Sequence, residues 1–405
     1  MEKSLCPTTK ALLGNLNMKS RYVILGAGMQ GTAAAYDLAK FGEPESVILA
    51  DHSIESAQAA ASRVNGLHGA NVCVPEQVNA LDPAELSALL RDADVLLSCV
   101  PYWMHPKIAD VAIATKTNML DLGGNTEITR ETLAKDALAK GAGISLIPDC
   151  GLAPGLVNSL GFWLIEHLVQ CETVRLYCGV LPQHPVPPLN YKTTFNVEGL
   201  VTEYDYSAVA LRNGEIQMIP TLTELETMEI EGLGTMEAFV TSGGTSMAPY
   251  SVQGEVTNYE YKTIRFTGHC AYMKMFKDFG FWNENEIDVR GTKVKPKDVW
   301  CKVFGEELGK IKDVDQCVIR AIGIGTKAGK PTKLQIDIHD KQCDETGFTS
   351  MERLTGFSLS TYAIDVANRL MPPGALRYEQ AMTGTRFVEE IQRRGIKMKF
   401  SEEPI

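Results

Sequence analysis

The glycine pattern "GAGMQG" at residues 26–31 constrains the fold of this chain more than any other stretch. It directly follows the apolar run "RYVIL" at 21–25 and opens a helix pattern near 29–41. A G-x-G-x-x-G pattern is weak alone, but this strand–turn–helix context is typical of a turn that binds the pyrophosphate of a dinucleotide. The stretch therefore predicts the first turn of a Rossmann domain rather than a tight turn without a ligand.

Each position of this motif has its own expected role. Gly26 makes the tight turn, Gly28 lets a pyrophosphate approach the backbone, and Gly31 lets the helix pack closely on the strand. Met29 and Gln30 begin the helix, where free N–H groups and the positive end of the helix dipole favour phosphate. We predict that these five residues bind the cofactor.

The alternation of strand and helix patterns continues to residue 150. Short apolar runs, each typical of a parallel strand covered by helices on both faces, lie at residues 21–25, 47–50, 71–74, 94–100, 118–122 and 143–148. Strict alternation of this kind predicts a doubly wound parallel sheet with right-handed crossovers.

Asp51 lies at the end of the second predicted strand, 20 residues after Gly31. A carboxylate at this place accepts hydrogen bonds from the adenosine ribose hydroxyls and repels a 2′-phosphate. No arginine lies in residues 52–56 to bind such a phosphate. The sequence therefore predicts NAD rather than NADP as the cofactor.

The ends of the fourth and fifth strands are expected to face the same ligand, because ligands bind outside the carboxyl ends of parallel strands. Tyr102 or Trp103 would wall the nicotinamide, or both would be core aromatics at a domain junction. Gly123 and Gly124 would offer backbone to the ligand, or only make a turn. The predicted cofactor contacts in this region are Val100, Pro101, Tyr102 and Gly123.

The second half of the chain has a different pattern. With 405 residues, the chain is expected to form two domains. Strand-like runs follow one another after residue 150 with few helices between them, which predicts a second α/β domain with a mixed, largely antiparallel sheet. The predicted boundaries are an N-terminal extension at 1–19, an NAD-binding Rossmann domain at 20–150, a second domain at 151–350, and a C-terminal helical segment at 351–405.

Composition excludes several classes of partner. The formal charge of −11 argues against nucleic acid or an anionic membrane. No apolar run reaches the ~18 residues of a membrane helix, and the N-terminus is a poor signal peptide. The ten cysteines include no C-x-x-C pair and no zinc-ligand spacing, so we expect free thiols in a reducing cytoplasm and no metal.

Four further motifs carry a family resemblance. They are "PDCGLAPG" (148–155), "LYCGVLPQHPVPPLNY" (176–191), "EAFVTSGGTS" (237–246) and "YKTIRFTGH" (261–269). Together with the Rossmann half, they make nearly all of residues 21–405 resemble the saccharopine dehydrogenase family, and most of all its lysine 6-dehydrogenase members. A plain Rossmann match would not include them.

This resemblance implies an activity that composition does not show. It implies that residues 151–350 form the substrate, catalytic and oligomerisation domain and that residues 351–405 pack back towards the first domain. It also implies a homo-oligomer that catalyses NAD-dependent oxidative deamination of the lysine side chain, giving the 6-semialdehyde, which cyclises. Saccharopine-forming and carboxynorspermidine-forming members act on secondary amines and usually prefer NADP, so Asp51 counts against them. A non-catalytic protein that binds NAD for regulation is the alternative from another class.

The resemblance also directs attention to the polar side chains of the second domain. Oxidation needs a neutral amine, so we predict a base, either His269 or a Lys262 whose pKa burial lowers. Arg265 would bind the substrate α-carboxylate, and being three residues from Lys262 on a strand it would face the other side. The other candidates are Asp149 for catalysis and Asp121, Glu198, Thr241, Ser242, Gly243 and Thr245 for substrate binding.

Cys150 is the remaining question in the stretch "IPDCGLAPGLVN" at 147–158. Hydride transfer needs no covalent thiol intermediate, and the next helix begins several residues later, near Pro154. We therefore interpret Cys150 as a small adaptable side chain, and the loop as the pocket floor beside the crossing into the second domain.

Overall fold

The first sheet has the strand order of a Rossmann domain. The structure, a computed structural model, describes residues 19–194 and 197–405. Seven strands in the described chain form a parallel sheet of order β17-β6-β5-β4-β1-β2-β3. They are β1 (Arg21–Leu25), β2 (Ser46–Asp51), β3 (Cys73–Gln77), β4 (Val95–Ser98), β5 (Asn118–Asp121), β6 (Ser145–Ile147) and β17 (Gly374–Ala375).

Helices connect the consecutive strands of this sheet, as the alternating pattern predicts. They are α1 (Met29–Phe41), α2 (Ile54–His68), α3 (Pro83–Leu90), α4 (His105–Thr115), α5 (Thr126–Leu133) and α6 (Asp136–Ala142). Capping residues fix where several of them begin: Asp82 accepts hydrogen bonds from two backbone N–H groups of α3, and Asn125 does the same for α5. The 3-2-1-4-5-6 order of the first six strands confirms the doubly wound fold.

The second sheet is mixed, and its pairings are antiparallel except between β7 and β12. Its main order is β10-β11-β12-β7-β15-β16-β18. Off this path, β8 pairs with β12, and β9 pairs with β8. The strands are β7 (Gln170–Pro182), β8 (Ala208–Arg212), β9 (Glu215–Ile219), β10 (Glu226–Ile230), β11 (Gly234–Phe239), β12 (Asn258–Phe266), β15 (Asp315–Lys327), β16 (Lys330–Lys341) and β18 (Lys399–Pro404). The prediction of a second α/β domain with a mixed sheet is confirmed.

The remaining elements surround this second sheet. A hairpin of β13 (Ile287–Val289) and β14 (Thr292–Val294) precedes the helix at Pro296–Gly309. The helices are α7 (Val157–His167), α8 (Val197–Asp205), α9 (Ala248–Ser251), α10 (His269–Asp278), α11 (Pro296–Gly309), α12 (Ser350–Ala367), α13 (Tyr378–Ala381) and α14 (Gly384–Arg393). An irregular turn at Leu152–Leu156, in which Ala153, Pro154 and Gly155 are not helical, leads into α7, so that helix begins three residues later than predicted.

The chain after residue 350 joins the two sheets. It was predicted to be helical, but it also adds β17 to the first sheet and β18 to the second. Helix α12 starts at a capping box made by Thr349 and Glu352. It packs on α1 so closely that a Cβ on Gly356 would lie 2.8 Å from Ala33 Cβ.

One continuous apolar core runs through both domains. It joins side chains of the first sheet, such as Ile24 and Leu97, to those of the second, such as Leu176 and Ile336, by way of α7 and α12. The carboxyl ends of β1, β4 and β5 consequently open onto the second domain. The predicted N-terminal extension at 1–19 lies outside the described residues except for Lys19.

Candidate active site

The glycine turn after β1 leaves room for a dinucleotide. Gly26 has φ +93°, and a Cβ there would lie 2.8 Å from the carbonyl oxygen of Cys99, so this turn requires glycine. A Cβ on Gly31 would lie 2.0 Å from the Gly26 carbonyl oxygen, which makes the close packing of α1 on β1 possible. A Cβ on Gly28 would meet no atom within 4 Å, so open space lies in front of the N-terminus of α1. This geometry fits a bound pyrophosphate.

Asp51 is held at the edge of the same site. Its Oδ2 accepts a hydrogen bond from the Ala27 backbone N–H at 2.9 Å, and its Oδ1 accepts one from the Ser53 N–H at 3.0 Å. Oδ2 keeps a further lone pair for a ribose hydroxyl, whereas the second lone pair of Oδ1 faces His52. His52, whose side chain is largely exposed, lies 2.8 Å from Oδ1.

A cavity of about 530 Å³ lies between the strand ends of the first sheet and the second domain. Of the residues predicted to bind the cofactor, Gln30, Val100, Pro101, Tyr102 and Gly123 line it. Trp103 and Gly124 line it as well, and Trp103 is 54% exposed, which excludes the alternative that it is a core aromatic. The other predicted residues, namely Gly26, Gly28, Met29, Gly31 and Asp51, form the glycine turn and the end of β2 beside it.

Strand β12 forms much of the opposite wall, and its alternation decides which side chains reach the cavity. Tyr261, Thr263 and Arg265 all line it. Of the residues predicted to bind substrate, Glu198, Thr241, Ser242, Gly243 and Arg265 line the cavity. Thr245 does not, because its hydroxyl donates to the Val209 carbonyl inside the second domain.

Lys262 points away from this cavity, as its spacing from Arg265 predicts. Its Nζ donates to the Glu224 carbonyl at 2.8 Å and lies 3.2 Å from Glu226 Oε1. The ammonium therefore belongs to a separate charged cleft on the other face of the sheet. This placement argues against Lys262 as the base.

Arg265 and Glu203 form a buried ion pair in the cavity wall. Arg265 is 4% exposed, and its Nη2 lies 3.1 Å from Glu203 Oε1. Thr263 also donates to this carboxylate, at 3.0 Å. The wall thus presents a cation and an anion side by side, away from bulk solvent, where both act strongly on a ligand.

His269 does not reach the cavity, and its predicted role as the base is not supported by its position. Its ring is 1% exposed, with Nε2 3.0 Å from the Tyr204 hydroxyl and Nδ1 3.3 Å from the Leu189 carbonyl. Burial, and secondly the charge of Arg265, lower the pKa of His269 to about 3. Both ring nitrogens are engaged, so no lone pair is directed at a substrate.

Asp149 and Asp121 lie together beneath the cavity floor. A Cβ on Gly123 would lie 2.4 Å from Asp149 Oδ1, so only that glycine separates this carboxyl group from the cavity. Asp121 Oδ1 accepts hydrogen bonds from the Gly123 N–H at 2.8 Å and from the Asp149 N–H at 3.1 Å. Burial, and then the charge of Asp121, raise the pKa of Asp149 to about 7.

Two hydroxyl groups hold the Asp149 carboxyl group. Thr129 of the first domain donates to Oδ1 at 2.9 Å, and Ser246 of the second domain donates to Oδ2 at 2.6 Å. Asp149 therefore links the two domains directly under the site. Cys150 next to it is fully buried and its pKa is raised well above the usual value, so the thiolate needed for a nucleophile does not form.

Each domain of the chain matches a known protein family. Residues 22–147 match the family described as "Saccharopine dehydrogenase NADP binding domain". Residues 151–396 match "Saccharopine dehydrogenase C-terminal domain". The chain belongs to the saccharopine dehydrogenase family.

Curated relatives in the saccharopine dehydrogenase family are distant in sequence. "Saccharopine dehydrogenase [NADP(+), L-glutamate-forming]" of Pyricularia oryzae is 24% identical over 282 residues, which cover 67% of this chain and 61% of that protein. "Alpha-aminoadipic semialdehyde synthase, mitochondrial" of Rattus norvegicus is 24% identical over 318 residues, 74% of this chain and 33% of that one. The chain spans less than two thirds of the length of each of these relatives.

A solved structure shares the fold. It is the apo, histidine-tagged, L-Glu-forming saccharopine dehydrogenase of Saccharomyces cerevisiae, with a TM-score of 0.76 at 18% identity. The match covers 95% of this chain and all of that one. Such low identity shows a common architecture and assigns no residue roles.

Several cavity residues of this family member are missing from the sequence-based predictions. Met351 and Thr355 of α12 line the cavity near Gln30, although residues 351–405 were predicted only to pack against the first domain. Others include Cys178, Thr202, Glu203, Tyr261, Thr263, Glu284, Lys295, Lys297, Asp298 and Cys301. The alternation of β12 from Arg265 back to Thr263 and Tyr261 is a signal that would have found two of them.

The described residues provide no metal-binding cluster and no membrane-spanning helix. No group of three or more His, Cys, Asp or Glu side chains within 19–194 and 197–405 is placed to hold a metal ion. Over the same ranges, no helix combines the length and the apolar character needed to cross a bilayer.

Proposed function

We propose that this protein oxidises the 6-amino group of L-lysine to the semialdehyde, with NAD as the hydride acceptor. Nicotinamide, when bound, accepts the hydride from C6 of lysine, and the resulting imine takes up one water molecule and releases ammonia. The chain's own residues bind and orient the amino acid. The product semialdehyde then cyclises by reaction with its own α-amino group. Family membership supports a dehydrogenase acting on an amino acid, and the site geometry supports this particular substrate class.

The observation that carries the proposal is the buried pair of Arg265 and Glu203 facing the Rossmann strand ends across the cavity. A free amino acid carries a carboxylate and an ammonium on one carbon, and a neighbouring cation and anion match that arrangement. Arg265 would bind the carboxylate with its guanidinium, and Glu203 would accept from the ammonium. The side-chain amine then extends towards Tyr102 and Gly123, on the cofactor side.

Asp51 supports NAD over NADP. A 2′-phosphate would meet the Asp51 carboxylate at the end of β2, and this contact is repulsive. Two of the relatives carry NADP(+) in their names, so an Asp51 that selects NAD would distinguish this chain from them.

Removal of the amine proton sets the expected pH dependence. A lysine ε-amine has a pKa near 10.4, so about 3 pH units separate neutral solution from its reactive form. His269 and Lys262 do not face the cavity, whereas Glu198 and Glu203 do. We therefore expect the proton to leave to solvent or to a cavity carboxylate, and kcat/KM for lysine to rise from pH 7 to pH 10.

A second candidate substrate is saccharopine or another secondary amine. Lys295 and Lys297 line the outer part of the cavity from the start of α11. Lys297 is paired with Glu284 at 2.7 Å, whereas the exposed Lys295 would suit an additional carboxylate of the substrate, such as that of a glutamate unit. The name of the Pyricularia oryzae relative, an L-glutamate-forming saccharopine dehydrogenase, points the same way.

One screen separates these possibilities. The purified protein is assayed at pH 9.5 with L-lysine or saccharopine and with NAD or NADP, recording absorbance of the reduced cofactor. Turnover of lysine with NAD supports the proposal, and turnover of saccharopine with NADP replaces it with the second candidate. Cofactor binding without turnover of either amine would identify a non-catalytic NAD-binding protein.

A further inference from the structure

An unbroken chain of hydrogen bonds runs behind the cavity wall. Arg265 Nε donates to the Tyr204 hydroxyl oxygen at 3.0 Å, and that hydroxyl lies 3.0 Å from His269 Nε2. His269 Nδ1 lies 3.3 Å from the Leu189 carbonyl oxygen. These hydrogen bonds thus join β12, α8, the start of α10 and the loop after β7.

The donors and acceptors in this chain have a single consistent assignment. A carbonyl oxygen only accepts, so Nδ1 of His269 carries the proton and donates to Leu189. With the ring neutral, Nε2 has a free lone pair and accepts from the Tyr204 hydroxyl. The hydroxyl oxygen in turn accepts from Arg265 Nε, so each of these polar groups is paired.

The rest of the guanidinium is also fixed. Nη1 of Arg265 donates to the Ile264 carbonyl at 3.0 Å, and Nη2 donates to the Glu203 carboxylate. Tyr191 stacks against it, with its ring centre 5.3 Å from Cζ. Arg265 is therefore held in one orientation before any ligand arrives, which lowers the entropy cost of binding.

We propose that His269 and Tyr204 are positioning residues that orient the Arg265 guanidinium towards the carboxylate of an amino-acid substrate. This inference rests on the proposed function, because it assigns the substrate carboxylate to Arg265. It also replaces the base role that the sequence suggested for His269. In the new role, the histidine acts as a neutral hydrogen-bond acceptor and does not exchange a proton during turnover.

The surroundings of His269 agree with a permanently neutral ring. Within residues 19–194 and 197–405, the titratable side chains that face it are Tyr191, Tyr204 and Arg265, and no carboxylate of these ranges contacts the ring. Glu237 instead binds the backbone N–H groups of the residues on either side of it. A protonated ring would be buried beside the Arg265 cation without a counter-charge, which burial strongly disfavours.

Matched substitutions of His269 test this role. His269→Gln places an amide near the position of Nε2 and keeps an acceptor for Tyr204, whereas His269→Asn keeps only a donor for Leu189. His269→Phe keeps a ring and removes both, and Tyr204→Phe removes the hydroxyl between His269 and Arg265. Steady-state kinetics with L-lysine and NAD, pH–rate profiles, calorimetric titration with L-lysine and thermal unfolding are measured for each variant.

We expect His269→Phe, His269→Asn and Tyr204→Phe to raise KM and the dissociation constant for L-lysine by roughly 10- to 100-fold, the loss of one charged hydrogen bond. The value of kcat should change less than about threefold, the KM for NAD should stay the same, and His269→Gln should restore most of the affinity. The shape of the pH–rate profile should be that of the wild type in every variant.

Other outcomes overturn the inference. A large fall in kcat with unchanged KM, together with loss of one limb of the pH–rate profile, would make His269 a base after all. Failure of His269→Gln to restore affinity, although it unfolds like the wild type, would show that the hydrogen bond is not needed. A wild type that binds lysine without turning it over would sink the proposed function alone, whereas one that binds no amino acid would sink both.

Discussion

At the scale of single residues, the site is determined by which side chains are hydrogen-bonded or ion-paired to one another. Arg265 was predicted to bind substrate from its type and its strand, and it lies in the cavity wall. Its partner Glu203 is 62 residues away in sequence and belongs to a helix. No periodic pattern connects the two, so the pair becomes visible only when α8 packs beside β12.

Asp51 should set the choice between NAD and NADP. Asp51→Asn keeps an acceptor for the turn and removes the negative charge that repels a 2′-phosphate. We expect kcat/KM with NADP to rise roughly tenfold relative to that with NAD, equivalent to about 1.4 kcal/mol. Kinetics with both cofactors measure this ratio, and the exposed neighbour His52→Ala is the control. A wild type that already prefers NADP would contradict the assignment.

Asp149 should make the protein less stable as pH rises. Its pKa is raised from the unfolded value of about 4 to about 7, so between these values the folded state holds a proton that the unfolded state has lost. The contribution of protonated Asp149 to the free energy of unfolding is fully present below pH 4. It is lost as the pH rises from 4 to 7, by at most about 1.4 kcal/mol per pH unit.

The variant Asp149→Asn tests that prediction, since asparagine tolerates the left-handed backbone at φ +68° and can still bond both hydroxyls. We expect the stability difference between wild type and variant to shift by roughly 2 to 3 kcal/mol from pH 5 to pH 7. Urea denaturation at both values measures it. A difference that does not change with pH would show that the Asp149 carboxyl group titrates normally.

At the scale of elements, the turn between β1 and α1 contains one glycine that the fold requires and another that is expected to affect only cofactor binding. A Cβ on Gly31 would collide with the Gly26 backbone, whereas a Cβ on Gly28 would meet only open space. Gly31→Ala should therefore destabilise the fold by about 1 to 3 kcal/mol, as overpacking does. Gly28→Ala should unfold like the wild type and bind NAD at least tenfold more weakly, because the added methyl group occupies the path of the pyrophosphate.

Thermal unfolding and calorimetric titration with NAD measure these two effects independently. Gly28 has φ −76°, which alanine adopts without strain, so a folding defect in that variant is not expected. Unchanged affinity of Gly28→Ala for NAD would place the cofactor elsewhere.

At the scale of the whole molecule, the two domains are joined through α12. Gly356 of this helix packs against the backbone of α1, and Met351 and Thr355 carry its surface into the cavity. We expect Gly356→Ala to cost about 1 to 3 kcal/mol and to weaken NAD binding, because separating α12 from α1 moves Gln30. Chemical denaturation and NAD titration measure both effects.

The exposed helix variant Gly66→Ala is the matched control for Gly356→Ala. A Cβ on Gly66 meets nothing within 4 Å, so alanine there should stabilise the protein by about 0.5 to 1 kcal/mol. Equal effects at the two sites would show that the contact between α12 and α1 is unimportant. The homo-oligomer implied by the family resemblance stays a prediction, which the molecular mass in solution would measure.

The sequence by itself determined the first domain, the strand content of the second and the side of the sheet on which ligands bind. These follow from short-range rules: glycines that only one turn tolerates, a carboxylate at a fixed distance, and alternation that sends Lys262 and Arg265 to opposite faces. Local residue patterns carry that information, so the glycine turn, the acidic end of β2 and the strand ends that line the cavity were predicted from sequence.

Only the tertiary structure decided the substrate side of the cavity. His269 and Arg265 lie four residues apart, yet one is behind the wall and the other in it, because β12 ends and α10 begins between them. Glu203, Thr355 and Lys297 reach the cavity from three separate elements after residue 150. Which side chains meet there depends on how helices pack on the second sheet, and packing is set by contacts between residues far apart in sequence.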